Sequence, residues 1–398
     1  MRFNFDVCVV GGCGHVGLPL ALTFAEAHLK TAIYDINKKS LELIAKGIVP
    51  FKEKGAEYLL KKSLKNNRLK LFNQPSIIAQ SEFIIVIVGT PIDEFLNPKV
   101  QNIVDIFDEI KPYLKSGQTI ILRSTIFPGT TKKVRNLIQK NKLKINLAFC
   151  PERVAEGKAI EEIRDLPQII SGFDPISIKK ARQLFSHVAK DLVELNPEEA
   201  ELAKLFTNSW RYIQFAVANQ FFTIAHQSSL DFYRILSAIK FKYPRAKDFP
   251  AAGFAAGPCL LKDTMQIASF SNNSFFLGHS AMLVNEGLPN YIVAKLKEKN
   301  DLAGKTIGII GMAFKAESDD KRTSLAYKLR RMLEIEAKQV LCTDVYIKDK
   351  NFYSLAEVLQ KSDILIIGCP HAEYKKIKIK PKQKLVDIWN FLGQGGNF

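Results

Sequence analysis

The chain has 398 residues, and its 57 Lys and Arg residues exceed its 40 Asp and Glu residues, giving a formal net charge of +17. This length predicts two or three domains, each able to bury a core. With 47% hydrophobic and 24% charged residues, the composition is that of a globular protein and excludes a disordered chain. The longest apolar runs, such as residues 83–88, are too short to span a bilayer, and a strand-like run begins at Val7. We therefore expect a soluble, cytoplasmic protein with no membrane contact and no signal peptide.

The excess of positive charge raises the question of a nucleic-acid partner. The basic residues are mostly lysines spread along the chain, and they are not interleaved with aromatic residues on one element as a single-strand binding surface requires. This distribution favours a solvated surface, with part of the charge serving an anionic small substrate, and we predict no nucleic-acid partner. The six cysteines include no CxxC pair and the six histidines no HExxH motif, so we expect reduced thiols and no metal.

Short apolar segments alternate with helix-compatible segments in the first half of the chain. Residues 5–10 lead into a glycine-rich turn, a helical segment follows at 18–29, and a second strand at 31–34 ends at Asp35. Strands that alternate with helices indicate a parallel, doubly wound sheet. Further strands are predicted at 83–88, 119–122 and 145–149.

The pattern changes at Asn196. Asn196, Pro197 and Glu199 are typical of an N-cap, a first-turn proline and a capping-box acid. From there to residue 243 the chain lacks Gly and proline beyond the first turn, and apolar residues recur at helical spacing. We predict a long helix with one break near Ser228.

A second helical stretch is predicted from after Pro258 to about Lys299, and the α/β pattern restarts at Gly304. The fold class is therefore α/β, with two Rossmann-like doubly wound domains joined by a central region of long helices. The last strands are predicted at 339–342, 363–367 and 384–388. The predicted domains are residues 1–195, 196–300 and 301–398.

The first glycine cluster has the spacing of a dinucleotide-binding turn. Gly12, Gly14 and Gly17 lie between a strand and a helix, and Asp35 closes the next strand. The glycines permit a tight turn and a close approach of a pyrophosphate to the helix N-terminus, while Asp35 accepts a hydrogen bond from a ribose 2′-hydroxyl. An acid at this position also repels a 2′-phosphate, so the pattern predicts NAD rather than NADP.

A second cluster surrounds Cys259. Gly257 can precede a helix and Pro258 suits its first position, which would place Cys259 in the first turn. The helix dipole and the charge of Lys262 would favour the thiolate there, and Asp263 follows one turn later on the same face. A small buried cysteine at a helix start explains the same residues, and the local sequence leaves both interpretations open.

Three further patterns also have plain structural explanations. Lys204 and Asn208 lie at i and i+4 on the long helix and project together, as residues of a solvated face also do. The segments 151–157 and 124–130 follow strand ends, where α/β proteins build their sites. Acids in such a loop also serve solvation, and Pro128 followed by glycine also makes an ordinary turn.

Taken in chain order, these motifs resemble those of the nucleotide-sugar 6-dehydrogenases, which include UDP-glucose and UDP-N-acetylhexosamine dehydrogenases. The resemblance runs essentially from end to end, and the ordered set is far more specific than any one motif. The matching segments are 10–19, Gly89-Thr90-Pro91, Ser124-Thr125, Pro151-Glu152-Arg153, Lys204 with Asn208, 257–263 and 311–315.

The resemblance implies a two-step, four-electron oxidation of a UDP-sugar at C6, with NAD as the oxidant. Cys259 matches the nucleophile that captures the aldehyde as a thiohemiacetal, which is oxidised to a thioester and hydrolysed to the uronate. Lys204 matches the lysine that stabilises oxyanions and Asn208 its hydrogen-bonding companion, while Asp263 matches the acid that works with this lysine. The resemblance also implies a role in polysaccharide biosynthesis.

Other positions carry implied roles in the same way. Glu152 and Glu156 match two glutamates near the substrate, the second implicated in hydrolysis, and Thr125 matches a threonine that orders water. The implied NAD contacts are Gly12, Gly14, His15, Val16, Gly17, Asp35, Thr90, Thr125 and Arg322. The implied substrate contacts are Glu152, Arg153, Lys204, Asn208, Gly257, Phe314 and Lys315.

The sequence departs from the family pattern at a few positions. Ala255 and Ala256 replace glycines often found before the cysteine, and Leu261 stands where many members have proline. Arg153 and Val154 follow Glu152, which resembles enzymes acting on N-acetylated sugars rather than on UDP-glucose. We therefore expect UDP-N-acetylmannosamine or UDP-N-acetylglucosamine as the substrate.

Three other functions are alternatives to the oxidation of a UDP-N-acetylhexosamine. UDP-glucose would be oxidised by the same mechanism. A two-electron dehydrogenase of the 6-phosphogluconate type leaves Cys259 and the last domain without roles, and a non-catalytic nucleotide-sugar-binding protein leaves Lys204, Asn208 and Asp263 unexplained.

The resemblance also predicts a homodimer formed through the central helix. Phe206, Trp210, Phe221 and Phe222 form an aromatic face that a second copy would cover. An intrachain core explains the same face and would permit a monomer.

Overall fold

The computed structural model describes residues 3–396. The chain divides into two compact units, a first that ends at Thr207 and a second that begins at Asn208. Among residues 3–396, none of the helices has the length and hydrophobicity of a membrane span.

The first unit is built on an eight-stranded sheet with helices on both faces. Its strands are β1 (Phe5–Val10), β2 (Thr31–Tyr34), β3 (Leu69–Phe72), β4 (Ser81–Val86), β5 (Thr119–Leu122), β6 (Asn146–Phe149), β7 (Gln168–Gly172) and β8 (Leu192–Leu195). Its helices are α1 (Gly17–Glu26), α2 (Lys38–Ala45), α3 (Ala56–Lys65), α4 (Gln101–Ile110), α5 (Thr130–Lys140), α6 (Ala159–Asp165) and α7 (Pro175–Phe185).

The strand order is β3-β2-β1-β4-β5-β6-β7-β8, and every neighbouring pair is parallel except β6 and β7. The inner strands β1, β2, β4, β5, β6 and β7 are mostly buried, as covered strands of a parallel sheet are, whereas the edge strands β3 and β8 are partly exposed. Along β1, Val7 and Val9 pack in the core that includes α1 and α7, whereas Cys8 and Val10 pack in the core that includes α4 and α5. This alternation follows from the two-residue period of a strand.

The order of the strands reverses at β1, which pairs with β2 on one side and β4 on the other. Ligand sites of doubly wound sheets lie at the carboxyl ends of the strands beside such a reversal. The predicted strand at 119–122 is confirmed, while the one predicted at 83–88 lies at Ser81–Val86. The short strands β3, β7 and β8 were not predicted.

Helix α8 (Pro197–Gln227) begins in the first unit and ends in the second. The backbone N–H of Asn196 donates to Glu199 Oε2 at 2.8 Å, which confirms the capping-box acid. The predicted break near Ser228 is confirmed, because α9 (Phe232–Lys240) starts after a turn in which Ser229 has φ of +57°. The prediction that Phe222 faces outward is wrong: this side chain is 1% exposed and packs in the core of the second unit.

The second unit continues with helices and a four-stranded parallel sheet of order β10-β9-β11-β12. Its remaining helices are α10 (Leu260–Phe270), α11 (Phe276–Lys299), α12 (Leu325–Glu336) and α13 (Leu355–Lys361). Its strands are β9 (Thr306–Ile310), β10 (Gln339–Thr343), β11 (Ile364–Ile367) and β12 (Lys384–Val386).

In both units, a carboxylate that follows a neighbouring strand accepts backbone hydrogen bonds from the glycine turn after the unit's first strand. After β2, the carboxylate of Asp35 accepts a hydrogen bond from the Cys13 backbone N–H. After β10, the carboxylate of Asp344 accepts bonds from the backbone N–H groups of Met312 and Ala313, at 2.6 and 3.0 Å. The predicted α/β class, with Rossmann-like domains and a long central helix, is confirmed.

Candidate active site

The turn after β1 is shaped by two close backbone approaches, at Gly11 and Gly17. Gly11 has φ of +76°, and a Cβ at this position would overlap the Ile87 carbonyl oxygen. A Cβ at Gly17 would lie 2.6 Å from the Gly11 carbonyl oxygen, so glycine lets the start of α1 pack onto the turn. Gly14 is exposed, and a Cβ there would meet nothing closer than 3.9 Å. The open side of the turn is therefore where a pyrophosphate can approach the N-terminus of α1.

Asp35 is held rigidly at the end of β2. Its Oδ2 accepts from the Cys13 N–H and its Oδ1 from the Asn37 N–H, both at 2.9 Å. Each carboxylate oxygen keeps a further lone pair for a ribose hydroxyl. Burial, followed by the charge of Asp35, raises the pKa of the Cys13 thiol, so this cysteine stays neutral. The turn and the acid together fit the adenosine diphosphate part of NAD.

The loops after β4 and β5 are tied to each other. The Val88 N–H donates to Ser124 Oγ at 2.8 Å, and Thr90 Oγ1 donates to the Thr125 carbonyl oxygen at 2.5 Å. The structure therefore brings Thr90 and Thr125 together at the carboxyl edge of the sheet.

Glu152 forms an ion pair with Arg123, a residue that the sequence analysis missed. Arg123 is buried at the end of β5, and its Nε donates to Glu152 Oε2 at 2.9 Å. Glu152 Oε1 accepts from the backbone N–H groups of Arg153 and Val154, at 2.7 and 3.1 Å. The Arg153 side chain donates to the Pro167 carbonyl oxygen. The Glu152 carboxylate thus fixes the loop in which it lies.

The segment that carries Glu156 is also anchored. Buried Glu53 accepts hydrogen bonds from the Gly157 N–H at 2.8 Å and from the Ile160 N–H at 3.3 Å, next to the N-terminus of α6. Glu156 itself is half-buried. Two residues before Glu53, the ring of Phe51 stacks on His15 with centroids 4.2 Å apart.

Glu201, on α8, is a second missed residue. Its carboxylate accepts from the Gly129 N–H at 2.6 Å, the Thr131 N–H at 2.8 Å and the Thr131 hydroxyl at 2.6 Å. Burial raises the pKa of Glu201. These bonds cap α5 and fix the loop after Thr125 to the helix turn just before Lys204, whose side chain is buried.

Cys259 is exposed, whereas the other five cysteines are buried. It is the N-cap of α10, and the first helical bond runs from the Asp263 N–H to the Cys259 carbonyl oxygen at 2.9 Å. The prediction that Pro258 takes the first helical position is wrong by two residues, because Gly257 has φ of +105° and the helical hydrogen bonds begin later. The alternative of a buried cysteine is also wrong.

Asp263 lies one turn after the thiol and is 0% exposed. Its Oδ2 accepts from Asn208 Nδ2 at 2.5 Å, and its Oδ1 forms an ion pair with Lys262. Lys204 precedes Asn208 by one turn of α8. The charge of Lys262 is therefore balanced by Asp263, and Asn208 joins α8 to α10.

The segment before the cysteine packs on the loop that follows β9. A Cβ at Gly257 would lie 2.5 Å from the ring of Phe314, so only glycine permits this contact. The Lys315 ammonium is 5.7 Å from the centroid of the same ring. Arg322 pairs with Asp320 through Nε and Nη2, at 2.6 to 3.0 Å.

Comparison with known proteins identifies the family. The NAD binding domain of the UDP-glucose/GDP-mannose dehydrogenase family matches residues 5–189, its central domain 198–286 and its UDP binding domain 308–394. UDP-N-acetyl-D-mannosamine dehydrogenase from Methanocaldococcus jannaschii is 31% identical, over 98% of this chain and 93% of that protein. The enzyme of the same name from Campylobacter jejuni is 27% identical, over 95% and 98%.

Solved structures agree with this assignment. The UDP-N-acetyl-D-mannosamine dehydrogenase of Pyrococcus horikoshii is 27% identical and superposes with a TM-score of 0.88, covering 94% of this chain and 91% of that one. A UDP-glucose dehydrogenase from Pyrobaculum islandicum, 23% identical, shares the fold with a TM-score of 0.89 over 99% and 94% of the two chains. The chain belongs to the UDP-glucose/GDP-mannose dehydrogenase family.

Proposed function

We propose that the protein oxidises the C6 hydroxyl of a UDP-sugar to a carboxylate with NAD, using Cys259 as the covalent nucleophile. The observation that carries the proposal is the exposed thiol at the N-cap of α10, one turn from the buried pair of Asn208 and Asp263. A thiol at a helix N-terminus is favoured as the thiolate, which is the reactive form.

The residues present fit NAD. Gly12, Gly14, His15, Val16 and Gly17 form the turn for its pyrophosphate, which is open at Gly14. The fixed carboxylate of Asp35 would accept from its ribose hydroxyls and repel a 2′-phosphate.

Thr90, Thr125 and Arg322 complete the proposed cofactor site. Thr90 and Thr125 hold the loops after β4 and β5 in register for the rest of the cofactor. Arg322 would face a phosphate group once its pairing with Asp320 is shared. When bound, NAD supplies the acceptor for each hydride that leaves C6.

Cys259 captures the aldehyde left by the first oxidation. Its thiolate forms a C–S bond to the carbonyl carbon, and the oxygen takes a proton to give a thiohemiacetal. Loss of a hydride and the hydroxyl proton then leaves a thioester. Water adds to the thioester carbon, the C–S bond breaks, and the carboxylate is released together with the thiol and a proton.

The negative charge on the sugar oxygen needs fixed donors in a dry site. Lys204 and Asn208, one turn apart on α8 and both buried, would provide a cation and an amide donor. Asp263 holds the amide of Asn208 in place. It would also take part in proton transfer to and from Lys204.

Glu156, Thr125 and Glu152, all in the first unit, have the remaining proposed roles. Glu156 would assist the attack of water on the thioester, and Thr125 would order that water. Glu152, already bound to Arg123, would act by holding Arg153 and its loop for the substrate.

The substrate we propose is a UDP-N-acetylhexosamine, UDP-N-acetylmannosamine in particular. Arg153 and Val154 after Glu152 favour an N-acetylated sugar, and the relatives above bear the name of that activity. Gly257, Phe314 and Lys315 lie together in the second unit, where Lys315 would meet the diphosphate.

The test is NADH formation from NAD with UDP-N-acetylmannosamine, UDP-N-acetylglucosamine, UDP-glucose and UDP-galactose in parallel. We expect the highest kcat/KM with UDP-N-acetylmannosamine. An equal or higher kcat/KM with UDP-glucose would contradict the sugar assignment, and no NADH with any of them would contradict the activity.

We also propose a homodimer through α8. Large apolar side chains of this helix are exposed along one stripe, with Trp210 at 61%. Such a stripe is typical of a covered interface. The members of the stripe are Phe206, Trp210, Val217, Phe221 and Ile224.

The test is Trp210→Glu, which should shift the molar mass in light scattering from two chains to one at micromolar concentration. Phe241→Glu is the matched control, since Phe241 is also exposed but follows α9. A monomeric parent protein would contradict the dimer.

A further inference from the structure

The segment that leads to Cys259 is held by a side chain of the long helix α8. Asn219, on α8, is 0% exposed. Its Oδ1 accepts from the Gly253 N–H at 2.8 Å, and its Nδ2 donates to the Gly253 carbonyl oxygen at 3.0 Å. One amide therefore satisfies both polar groups of a buried residue six positions before the cysteine.

Asn219 is itself held by a second amide. Its Nδ2 also donates to Asn285 Oδ1 at 2.9 Å, and Asn285 Nδ2 donates to the Tyr212 carbonyl oxygen at 3.0 Å. Asn285 lies on α11 and is 0% exposed. We call this series of hydrogen bonds, from Gly253 through Asn219 and Asn285 to Tyr212, the amide relay. An amide is the side-chain group that offers an acceptor and two donors at one end, so no apolar or acidic residue reproduces the amide relay.

Gly253 also packs against an aromatic ring. A Cβ at Gly253 would overlap the indole of Trp389, and Trp389 Nε1 donates to the Ile367 carbonyl oxygen at 3.1 Å. Four residues later, Gly257 packs on the ring of Phe314. The segment from Gly253 to Gly257 thus lies between fixed groups at both ends.

We propose that Asn219 and Asn285 are positioning residues that set where Cys259 stands at the N-terminus of α10. The inference rests on the proposed role of Cys259 as nucleophile. Both amides act at a distance from the reaction: Asn219 acts through the Gly253 backbone, and Asn285 acts by holding Asn219. Removing Asn219 leaves a buried N–H and carbonyl group without partners, so the segment relaxes and the thiol moves. A displacement of about 1 Å at a reacting group costs on the order of 100-fold in rate.

The kinetic test compares Asn219→Ala and Asn219→Asp with Leu288→Ala. Leu288 is buried on α11, one turn after Asn285, and its truncation loosens the same core without touching the relay. We expect both Asn219 variants to lower kcat by roughly 10- to 100-fold, with KM for the UDP-sugar within about threefold of the parent. Leu288→Ala should lower Tm comparably and leave kcat within about twofold. Equal losses of kcat in Asn219→Ala and Leu288→Ala would overturn the proposal.

A second arm measures the thiol without turnover. Of the six cysteines, all within the described residues, Cys259 alone is exposed, so iodoacetamide labels it in the native protein. In Asn219→Ala we expect alkylation at neutral pH to slow by about threefold or more, because the thiol leaves the helix N-terminus that favours the thiolate. The rate in Leu288→Ala should match the parent. An unchanged rate in Asn219→Ala would overturn the proposal.

The two arms separate this inference from the proposed function. If Cys259→Ser forms uronate as fast as the parent, the nucleophile assignment fails, whatever Asn219 does. The alkylation arm still decides whether the amide relay positions the thiol.

Discussion

Asn208 and Asp263 are joined by a buried hydrogen bond of 2.5 Å that links α8 to α10 one turn after Cys259. Asp263 is fully buried and its other oxygen pairs with Lys262. A buried carboxylate with two partners is stable only while both remain, so this junction ties the position of the thiol-bearing helix to that of the long helix.

Replacing Asp263 should therefore destabilise the protein as well as inactivate it. Asp263→Ala leaves Lys262 without its counter-charge and Asn208 without its acceptor, and we expect the free energy of unfolding to fall by about 3–5 kcal/mol. Urea denaturation measures this change. The control is Asp165→Ala, which removes an exposed pair with Lys190 and should cost less than about 1 kcal/mol. Equal losses of unfolding free energy in Asp263→Ala and Asp165→Ala would mean that the buried junction stabilises the protein no more than an exposed ion pair does.

Asp35→Ala should weaken NAD binding and relax the preference for NAD over NADP. The variant removes a charged acceptor for ribose hydroxyls and the bond to the Cys13 N–H, so we expect NAD affinity to fall about 10- to 100-fold. Fluorescence titration with each cofactor measures both effects. Asp6→Ala is the control, since Asp6 accepts a backbone hydrogen bond at an exposed position. An unchanged ratio of NAD to NADP affinity would contradict the ribose contact.

Glu201 predicts a pH dependence of stability. Its folded pKa lies above the ordinary value of 4.5 because the side chain is buried, so the folded state holds its proton more tightly than the unfolded state. As the pH rises from 4.5 through the raised pKa, the stability of the parent should therefore fall relative to Glu201→Gln, which does not titrate. Urea titrations of both proteins at several pH values measure the difference. The predicted direction is contradicted if the difference in unfolding free energy between the two proteins does not change with pH. It is also contradicted if the parent becomes relatively more stable at higher pH.

Much of the fold followed from local sequence. The glycine turn and Asp35 are close together in the chain, and their spacing reflects one βαβ unit, so sequence periodicity was enough to place them. The start of α8 was also local, because Glu199 caps the Asn196 N–H three residues away.

The residues that hold the site were not local. Glu201 meets Gly129 from 72 positions away, and Asn219 meets Gly253 from 34 positions away. A Glu or Asn within a long helix has the same local pattern whether its side chain is solvated or buried, so tertiary packing alone separates the cases. Arg123 was missed for the same reason, since its partner Glu152 lies on the following strand's loop.

Covalent capture by Cys259 during a four-electron oxidation is tested most directly by counting the NADH formed per UDP-N-acetylmannosamine consumed. This mechanism predicts about two NADH per sugar with uronate as the product, and no net uronate from Cys259→Ser while NAD binding is retained. One NADH per sugar with release of the aldehyde, or undiminished uronate from Cys259→Ser, would contradict it.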